Sequence, residues 1–179
     1  MAFATIDVTK GITGTIPVAN GGTGLASGTI GQFLKFTGTT TLASAADNGK
    51  ILQVVSQNYQ SETSTNSSSF SDTGLTLDIT PSATSSKVLV MVGLGMGYTS
   101  NGTEGIFKLL RDSTDLSTFI INLGLDASGG GSGFNYLDSP STTSQKTYKV
   151  QFKRNSGSGN VYVCVNNSGA TITAMEIGA

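Results

Sequence analysis

The segment SKVLVMVGLGMGY, Ser86 to Tyr98, constrains the fold strongly because it is apolar on both of its faces. Successive side chains of a β-strand point to opposite sides of the sheet. One side of this segment carries Val88, Val90, Val92 and Leu94. The other side carries Leu89 and Met91 together with two glycines. A strand of this kind is covered on both faces. We therefore expect one face to lie in a core and the other to meet another layer or another subunit, in which case Leu89 and Met91 lie at the subunit interface.

The composition favours a nearly all-β protein. Ser and Thr together number 48 and Gly 24 of the 179 residues, and 12% of the residues are charged. Ser, Thr and Gly all weaken helix interiors. The net charge of −1 provides no long-range field that would gather nucleic acid. No apolar run approaches the roughly 20 residues that span a bilayer. We predict neither a nucleic-acid partner nor membrane insertion.

The chain is expected to divide at about residue 48. Residues 1–48 are punctuated by glycine and contain few large apolar side chains, although ordering each backbone unit costs about 1–2 kcal/mol. We expect this region to be an extended arm or stalk that is ordered by pairing with sister chains or another protein. Residues 49–179 contain about eight to ten short strands separated by Gly and Ser turns. This pattern predicts a β-sandwich head, and a jelly roll in particular.

Three polar segments of the head are predicted to be loops or turns. The segment SQNYQSETSTNSSS, Ser56 to Ser69, is expected to be a long polar loop, and DASGGGSG, Asp126 to Gly133, a flexible glycine loop. The segment NSGSGN, Asn155 to Asn160, is expected to be a hairpin turn between two paired strands.

The residue inventory argues against an enzyme and against a bound cofactor or metal. The chain has no histidine, which removes the common nucleophile systems and the commonest zinc ligand. Cys164 lies in an apolar strand pattern and is expected to be a buried, inert thiol. Asp112 with Asp115, or Asp126, could bind calcium weakly, but solvated turn aspartates are the preferred interpretation. A glycosidase needs only two carboxylates, so polysaccharide cleavage stays open as an alternative.

Several basic and aromatic residues are candidates for ligand contact. A cluster on one strand comprises Lys146, Lys149, Lys153 and Arg154. It forms either a binding strip for glycan or nucleic acid or, as we prefer, a charged outer face that discourages edge pairing. The possible glycan contacts are Tyr59, Tyr98 and Tyr136, which lie in or beside predicted loops, although each could equally cap the core.

The segment GTIPVANGGTG, Gly14 to Gly24, superficially suggests a phosphate-binding loop. Such a loop requires a following helix or a Gly-Lys-Ser/Thr ending, and both are missing here. The segment instead resembles a motif that recurs near the N-terminus or along the stalk of bacteriophage tail fibres and other virion surface proteins. The segments KVLVMV, FKLLRD, YLDSPSTTSQKTYKVQFK and ITAMEI resemble a C-terminal module of structural proteins from tailed phages.

The resemblance implies a structural protein of the virion with a compact, homotrimeric jelly-roll head. It implies a short fibre that binds other virion proteins, whether capsid, baseplate or tail, through its arm, and whose head binds a host-surface glycan. The residues that match the motif and are expected to attach the arm are Ile16, Pro17, Val18, Gly21, Gly22, Thr23 and Gly24. Because the chain lacks coiled-coil heptads, a capsid decoration protein that stabilises the shell is the alternative, followed by a polysaccharide depolymerase.

Overall fold

The computed structural model describes residues 29–30, 32–38, 41–45, 50–99, 102–121 and 130–178. The chain divides into two compact units, Met1–Asn48 and Gly49–Ala179. The residues predicted to attach the arm, from Ile16 to Gly24, lie outside the described residues, so their role stays a prediction.

The described residues form twelve strands. In chain order these are β1 Phe33–Phe36, β2 Leu42–Ala45, β3 Ile51–Tyr59, β4 Thr63–Thr65, β5 Ser71–Ile79, β6 Lys87–Thr99, β7 Glu104–Arg111, β8 Thr114–Ile121, β9 Gly130–Asp138, β10 Lys146–Ser156, β11 Val161–Val163 and β12 Ala170–Ile177. A 3₁₀ turn, Val165–Asn167, precedes β12. Within this part of the chain no helix is long and apolar enough to cross a membrane.

The described part of the first unit is a two-stranded antiparallel hairpin. Strand β1 pairs with β2 so that Phe33 lies opposite Ala45 and Phe36 lies opposite Leu42. The side chain of Ser44 accepts a hydrogen bond from the Thr29 amide and donates one to Gln32. Large apolar side chains are exposed on this hairpin: Ile30, Phe33, Leu34 and Phe36. A two-stranded hairpin is marginally stable alone, so these exposed side chains suit an element that binds a partner.

The second unit is a β-sandwich with the strand order of a jelly roll. One sheet has the order β3-β12-β6-β9 and the other has the order β5-β10-β7-β8, and all neighbours are antiparallel. Every connection between consecutive members of these eight strands crosses from one sheet to the other, except the β7–β8 hairpin. Strand β12 pairs with β6 only as far as Gly93. Near the end of β6, at Tyr98 and Thr99, the short strand β11 pairs with β6, and β4 pairs with β11. The prediction of an all-β, jelly-roll-like sandwich is therefore confirmed.

The hydrophobic core lies between the two sheets and follows the predicted alternation. The inward residues of β6 are buried, namely Val88, Val90, Val92 and Leu94. The inward residues of β10, Tyr148, Val150 and Phe152, have no exposed surface. The rings of Phe107 and Phe152 pack with their centroids 5.9 Å apart. Each large side chain buried in this way contributes about 1.5–3 kcal/mol to folding.

A buried ionic cluster joins the two sheets at one end of the core. The carboxylate of Asp138, at the end of β9, accepts hydrogen bonds from Arg111 Nη1 at 2.7 and 2.8 Å. Its Oδ2 also accepts a 2.6 Å hydrogen bond from the Tyr148 hydroxyl. Arg111 and Tyr148 belong to the other sheet, on β7 and β10. The cluster therefore fixes the position of one sheet relative to the other.

The structure corrects three local predictions. The predicted loop Ser56–Ser69 contains the end of β3 and all of β4, because Ser, Thr and Tyr side chains tolerate extended backbone when neighbouring strands supply partners. The predicted glycine loop Asp126–Gly133 belongs to β9 from Gly130 onward, where it pairs with β6, while its first four residues, including Asp126, lie outside the described residues. The predicted hairpin at Asn155–Asn160 is instead a crossover, because β10 pairs with β5 and β7 whereas β11 pairs with β4 and β6.

Candidate interaction surfaces

The outer face of the sheet β3-β12-β6-β9 carries a row of apolar side chains across all four strands. Val54 lies opposite Met175, Met175 lies opposite Leu89, and Leu89 lies opposite Leu137. Val54 is 54% exposed and Leu137 is 49% exposed, while Leu89 and Met175 between them are half-buried. We call this row together with Leu52, Met91 and Ile177 the apolar face. The predicted interface residue Leu89 thus lies at its centre, and Met91 lies at its border.

The apolar face ends at a row in which Met91 lies among uncharged polar side chains. Ser56 lies opposite Thr173, Thr173 opposite Met91, and Met91 opposite Asn135. The hydroxyl groups of Ser56 and Thr173 form a 2.8 Å hydrogen bond across the two strands. Between this row and Lys87, at the opposite end of β6, the face carries no charge. Such a surface can approach a second copy without repulsion between like charges.

The outer face of the other sheet is charged and hydrogen-bonded. Lys149 Nζ lies 3.2 Å from Asp72 Oδ1, and Lys108 Nζ lies 2.9 Å from Asp115 Oδ1. The Gln151 amide donates a 2.7 Å hydrogen bond to the Asp72 carboxylate. The contrast between the two outer faces is typical of a domain in which one face meets water and the other meets a partner.

The predicted basic cluster is divided between the two sides of β10: Lys149 and Lys153 alternate onto this charged face, whereas Lys146 and Arg154 fall on the side of the buried Tyr148 and Phe152. Lys146 pairs with Asp112 at 2.9 Å, and Lys149 pairs with Asp72. The ammonium groups of Lys153 and Lys108 lie 5.0 and 4.3 Å from the centroid of the Phe70 ring. These distances suit cation–π attraction. Since carboxylates and an aromatic ring already engage these lysines, a charged surface is the better interpretation of the cluster. The predicted role in discouraging edge pairing is wrong, because β10 pairs with β5 on one side and with β7 on the other.

A polar cleft lies between the two edge strands β3 and β5. Its lining comes from Gln57 and Tyr59 on β3 and from Gly74, Thr76, Leu77 and Asp78 on β5, and its volume is about 250 Å³. An adjoining cleft of about 290 Å³ shares Gly74 and Thr76 and adds Asp72, Leu75 and Lys149. Gly74 has φ +92°, and a Cβ atom there would collide with the Tyr59 ring. Glycine is therefore required where the Tyr59 ring packs on the β5 backbone.

The three tyrosines predicted as glycan contacts lie in different places. Tyr59 borders the polar cleft, packs partly against the core and shares a 3.2 Å hydrogen bond with Thr63. Tyr136 lies on the inward side of β9 and packs against the core. Tyr98 lies opposite Tyr162 in the pairing of β6 with β11. Tyr59 thus borders a cleft, the Tyr98 side chain lies outside the described part of the chain, and the glycan contacts stay predictions.

The Tyr148 hydroxyl of the ionic cluster is held protonated. Burial raises the pKa of this hydroxyl well above its ordinary value, and the hydrogen bond that it donates to the Asp138 carboxylate raises the pKa further. The hydroxyl therefore acts as a fixed hydrogen-bond donor between the sheets at all physiological pH values. The predicted inert thiol behaves in a similar way: Cys164 is buried, and burial raises its pKa.

Glu176 is a buried carboxylate that the sequence pattern did not single out. Its Oε1 accepts hydrogen bonds from the amide of Ser82 at 2.7 Å and from the hydroxyl of the same residue at 2.6 Å. Its Oε2 accepts a 2.6 Å hydrogen bond from the Gln53 amide. Burial alone would raise the pKa, but these hydrogen bonds outweigh burial and lower the pKa to about 2. The alternation of β12 carried the signal, because Glu176 falls on the same face as Ile172 and Ala174.

Within the described residues no group of three or more His, Cys, Asp or Glu side chains could hold a metal ion. Asp112 and Asp115, the predicted weak calcium candidates, each pair with a lysine.

Comparison with known proteins gives a limited result. No protein-family model matches the chain, and no curated protein matches it. The chain is similar to the protein in the crystal structure of the infectious bursal disease virus VP2 subviral particle, with 15% identity and a TM-score of 0.39. This match covers 80% of the chain and 41% of that protein. The structure of T=1 particles derived from infectious bursal virus gives 16% identity, a TM-score of 0.39 and coverage of 80% and 40%. Thus the chain spans about two-fifths of the length of these proteins. Values this low support no argument about function, and the jelly-roll assignment rests on the strand pairing.

Proposed function

We propose that this chain is a structural protein of a bacteriophage virion and forms a short trimeric fibre with a jelly-roll head. The resemblance of Gly14–Gly24 to a motif of phage surface proteins supports the virion assignment. The observation that carries the oligomeric part is the apolar row on the outer face of one sheet, from Val54 through Leu89 to Leu137. In a monomer this row would face water.

Association of heads through the apolar face follows from its chemistry. Apolar surface removed from water stabilises a complex by roughly 25 cal/mol per Å². The part of the face between Lys87 and the polar row carries no charge, so it adds no electrostatic cost when copies approach, and its flanking Ser and Thr hydroxyls can pair with one another. The charged face of the other sheet stays in water, where its ion pairs cost little to maintain. Three copies arranged in this way present three identical heads.

Attachment to the particle is assigned to the first unit. By resemblance to the phage motif, the proposed contacts are Ile16, Pro17, Val18, Gly21, Gly22, Thr23 and Gly24. The β1–β2 hairpin adds exposed Phe33, Leu34 and Phe36, which would be buried against a virion protein. The head would then bind a host-surface glycan through weak contacts that are repeated by symmetry and gain avidity. This function involves no catalysis and no cofactor.

A capsid decoration protein is the second candidate. The exposed apolar side chains of the β1–β2 hairpin favour it, because a protein that stabilises a shell must bury such groups against the shell. The head would then contribute oligomeric contacts on the shell surface and would need no host ligand.

Electron microscopy of intact particles tests the proposal. Density for a threefold head that projects from a tail, baseplate or capsid vertex would support the short fibre. Density spread over the shell, together with increased fragility of shells that lack the protein, would favour the decoration protein. Absence of the protein from purified particles would contradict both.

A further inference from the structure

Strand β3 is an unprotected edge of the sandwich. Its only partner among the described strands is β12. The sequence of β3, ILQVVSQNY, contains no charged residue, proline or glycine. One register irregularity lies at its start, next to Ile51, and the pairing is regular from Gln53 to Tyr59. A long, neutral edge strand offers its free backbone N–H and C=O groups to another extended chain.

The other edges of the described sandwich carry features that discourage pairing. Strand β5 carries Asp72 and Asp78 and is distorted at Gly74, which has φ +92°. Strand β8 carries the exposed Asp115. Strand β9 is rich in glycine and has an irregular register with β6, and β4 is only three residues long. Charges, distortions and short lengths are the usual protections of sheet edges, so β3 stands apart.

One side of the β3 edge is apolar. Leu52 and Val54 project from β3 onto the outer face of the sheet and are 36% and 54% exposed. A strand added beside β3 would place every second side chain next to them. Apolar side chains at those positions would bury surface that is now in water.

The opposite side of the β3 edge is polar and contains one carboxylate, that of Asp78. It opens onto the polar cleft, where Gln57 lies near Thr76 and Asp78 of β5. Among the described residues, the Asp78 carboxylate accepts a hydrogen bond from the Thr147 hydroxyl at 2.5 Å, but no basic side chain forms an ion pair with it. The nearby Asp72 already pairs with Lys149. A basic side chain that enters the cleft would therefore find an unneutralised carboxylate.

We propose that the free edge of β3 binds an extended segment of another protein in which apolar side chains alternate with Lys or Arg. The segment adds a strand to the sheet through backbone hydrogen bonds. Its apolar side chains pack beside Leu52 and Val54, and its basic side chains enter the cleft near Asp78. This inference goes beyond the proposed function and does not depend on it, since one head contains the whole site. Leu52 and Val54 also belong to the apolar face, so the added strand and the sister copies compete for these two side chains.

The probe for this site is a fluorescent peptide of sequence Lys-Val-Lys-Val-Lys-Val-Lys. Fluorescence anisotropy measures its binding to the full chain, and hydrogen–deuterium exchange locates the protected amides. We expect saturable binding, with slower exchange across Ile51–Tyr59. A peptide in which glutamate replaces lysine, and a peptide in which the lysines and valines are segregated, should each bind at least tenfold more weakly.

Three variants test the edge and the cleft separately. Asn58→Lys places a charge on the exposed side of β3 and should weaken binding at least tenfold, and Ser56→Lys serves if that variant does not fold. Asp78→Asn should weaken binding of the lysine peptide about threefold to tenfold, and should leave a glutamine–valine peptide unaffected. Thr118→Lys, on the exposed side of β8, adds the same charge away from the site and should bind like the wild-type chain.

Several results would overturn the inference. These are failure of the lysine peptide to bind at millimolar concentration, equal binding by Asn58→Lys and Thr118→Lys, or protection confined to strands other than β3. Binding of maltohexaose that protects β5 around Gly74 and leaves β3 unprotected would assign the cleft to a saccharide instead. A monomeric chain that binds the peptide as described would contradict the trimer and leave this inference intact.

Discussion

The hydroxyl of Tyr148 donates a 2.6 Å hydrogen bond to Asp138 Oδ2 and so joins β10 of one sheet to the end of β9 in the other. Arg111 adds two hydrogen bonds to the same carboxylate. Asp138 is only 5% exposed, and it holds two groups of the opposite sheet at once. The jelly roll is therefore fixed at this end by a polar cluster as well as by apolar packing.

Replacing Asp138 with Asn should destabilise the head strongly. The substitution removes the negative charge and leaves the Arg111 guanidinium without its ion-pair partner, at an expected cost of about 2–4 kcal/mol in the free energy of unfolding. Urea denaturation measures this change. Asp115→Asn, which disrupts an exposed pair with Lys108, is the matched control and should cost less than about 1 kcal/mol. Equal costs for the two variants would show that the cluster does not hold the sheets together.

Glu176 should make the stability of the head depend on pH. Its folded-state pKa of about 2 lies below its ordinary value of 4.5, so the group stabilises the fold above pH 4.5. That contribution, about 3 kcal/mol, should be lost as the pH falls from about 4.5 to about 2. Glu176→Gln should lower stability at pH 7 and flatten the dependence in this range, as followed by urea denaturation at a series of pH values. Glu62→Gln alters an exposed carboxylate and is the control. An unchanged pH profile in Glu176→Gln would contradict the assignment.

Gly74→Ala should distort the contact between β3 and β5. The added methyl group collides with the Tyr59 ring, and the backbone is held at φ +92°, so we expect destabilisation by roughly 1–3 kcal/mol. Thermal denaturation provides the measurement. Gly131→Ala is the control, since its Cβ would approach the Gly95 carbonyl oxygen no closer than 3.6 Å. A Gly74→Ala chain as stable as Gly131→Ala would indicate that Tyr59 does not pack on β5.

The thiol of Cys164 should be almost unreactive in the folded chain. It is fully buried, and burial raises its pKa, so both access and thiolate fraction are low. Reaction with a disulfide reagent such as DTNB should be at least a hundredfold slower in buffer than in concentrated urea. Comparable rates in the two solutions would mean that the 3₁₀ turn after β11 opens readily.

The sequence predicts those parts of the fold in which one face of a strand is covered. Leu75, Leu77 and Ile79 alternate with polar residues, and the structure places all three in the core. The same holds for Tyr148, Val150 and Phe152. Alternation of apolar and polar residues is visible within one strand, because burial of one face of the strand requires an apolar side chain at every second position.

Features that depend on pairing between distant strands were not predictable in this way. The turn at Asn155–Asn160 carries the composition of a hairpin, but composition does not reveal that β11 pairs with β6, in the other sheet. The apolar face was predicted only at Leu89 and Met91. The other members of the row come from three other strands: Val54, Met175 and Leu137. They are aligned with Leu89 by the register between the strands, which one strand's sequence does not reveal. The polar cleft likewise requires that β3 and β5 lie together.

Sedimentation equilibrium of the full chain at micromolar concentration tests the central claim, that the apolar face associates with sister copies. The wild-type chain should sediment at three times the mass of one chain. Leu89→Glu places a charge at the centre of the apolar face and should sediment as a monomer with an unchanged circular dichroism spectrum. Thr118→Glu, on the exposed side of β8, should remain a trimer. A wild-type chain that is monomeric, or a folded Leu89→Glu variant that is still trimeric, would contradict the account.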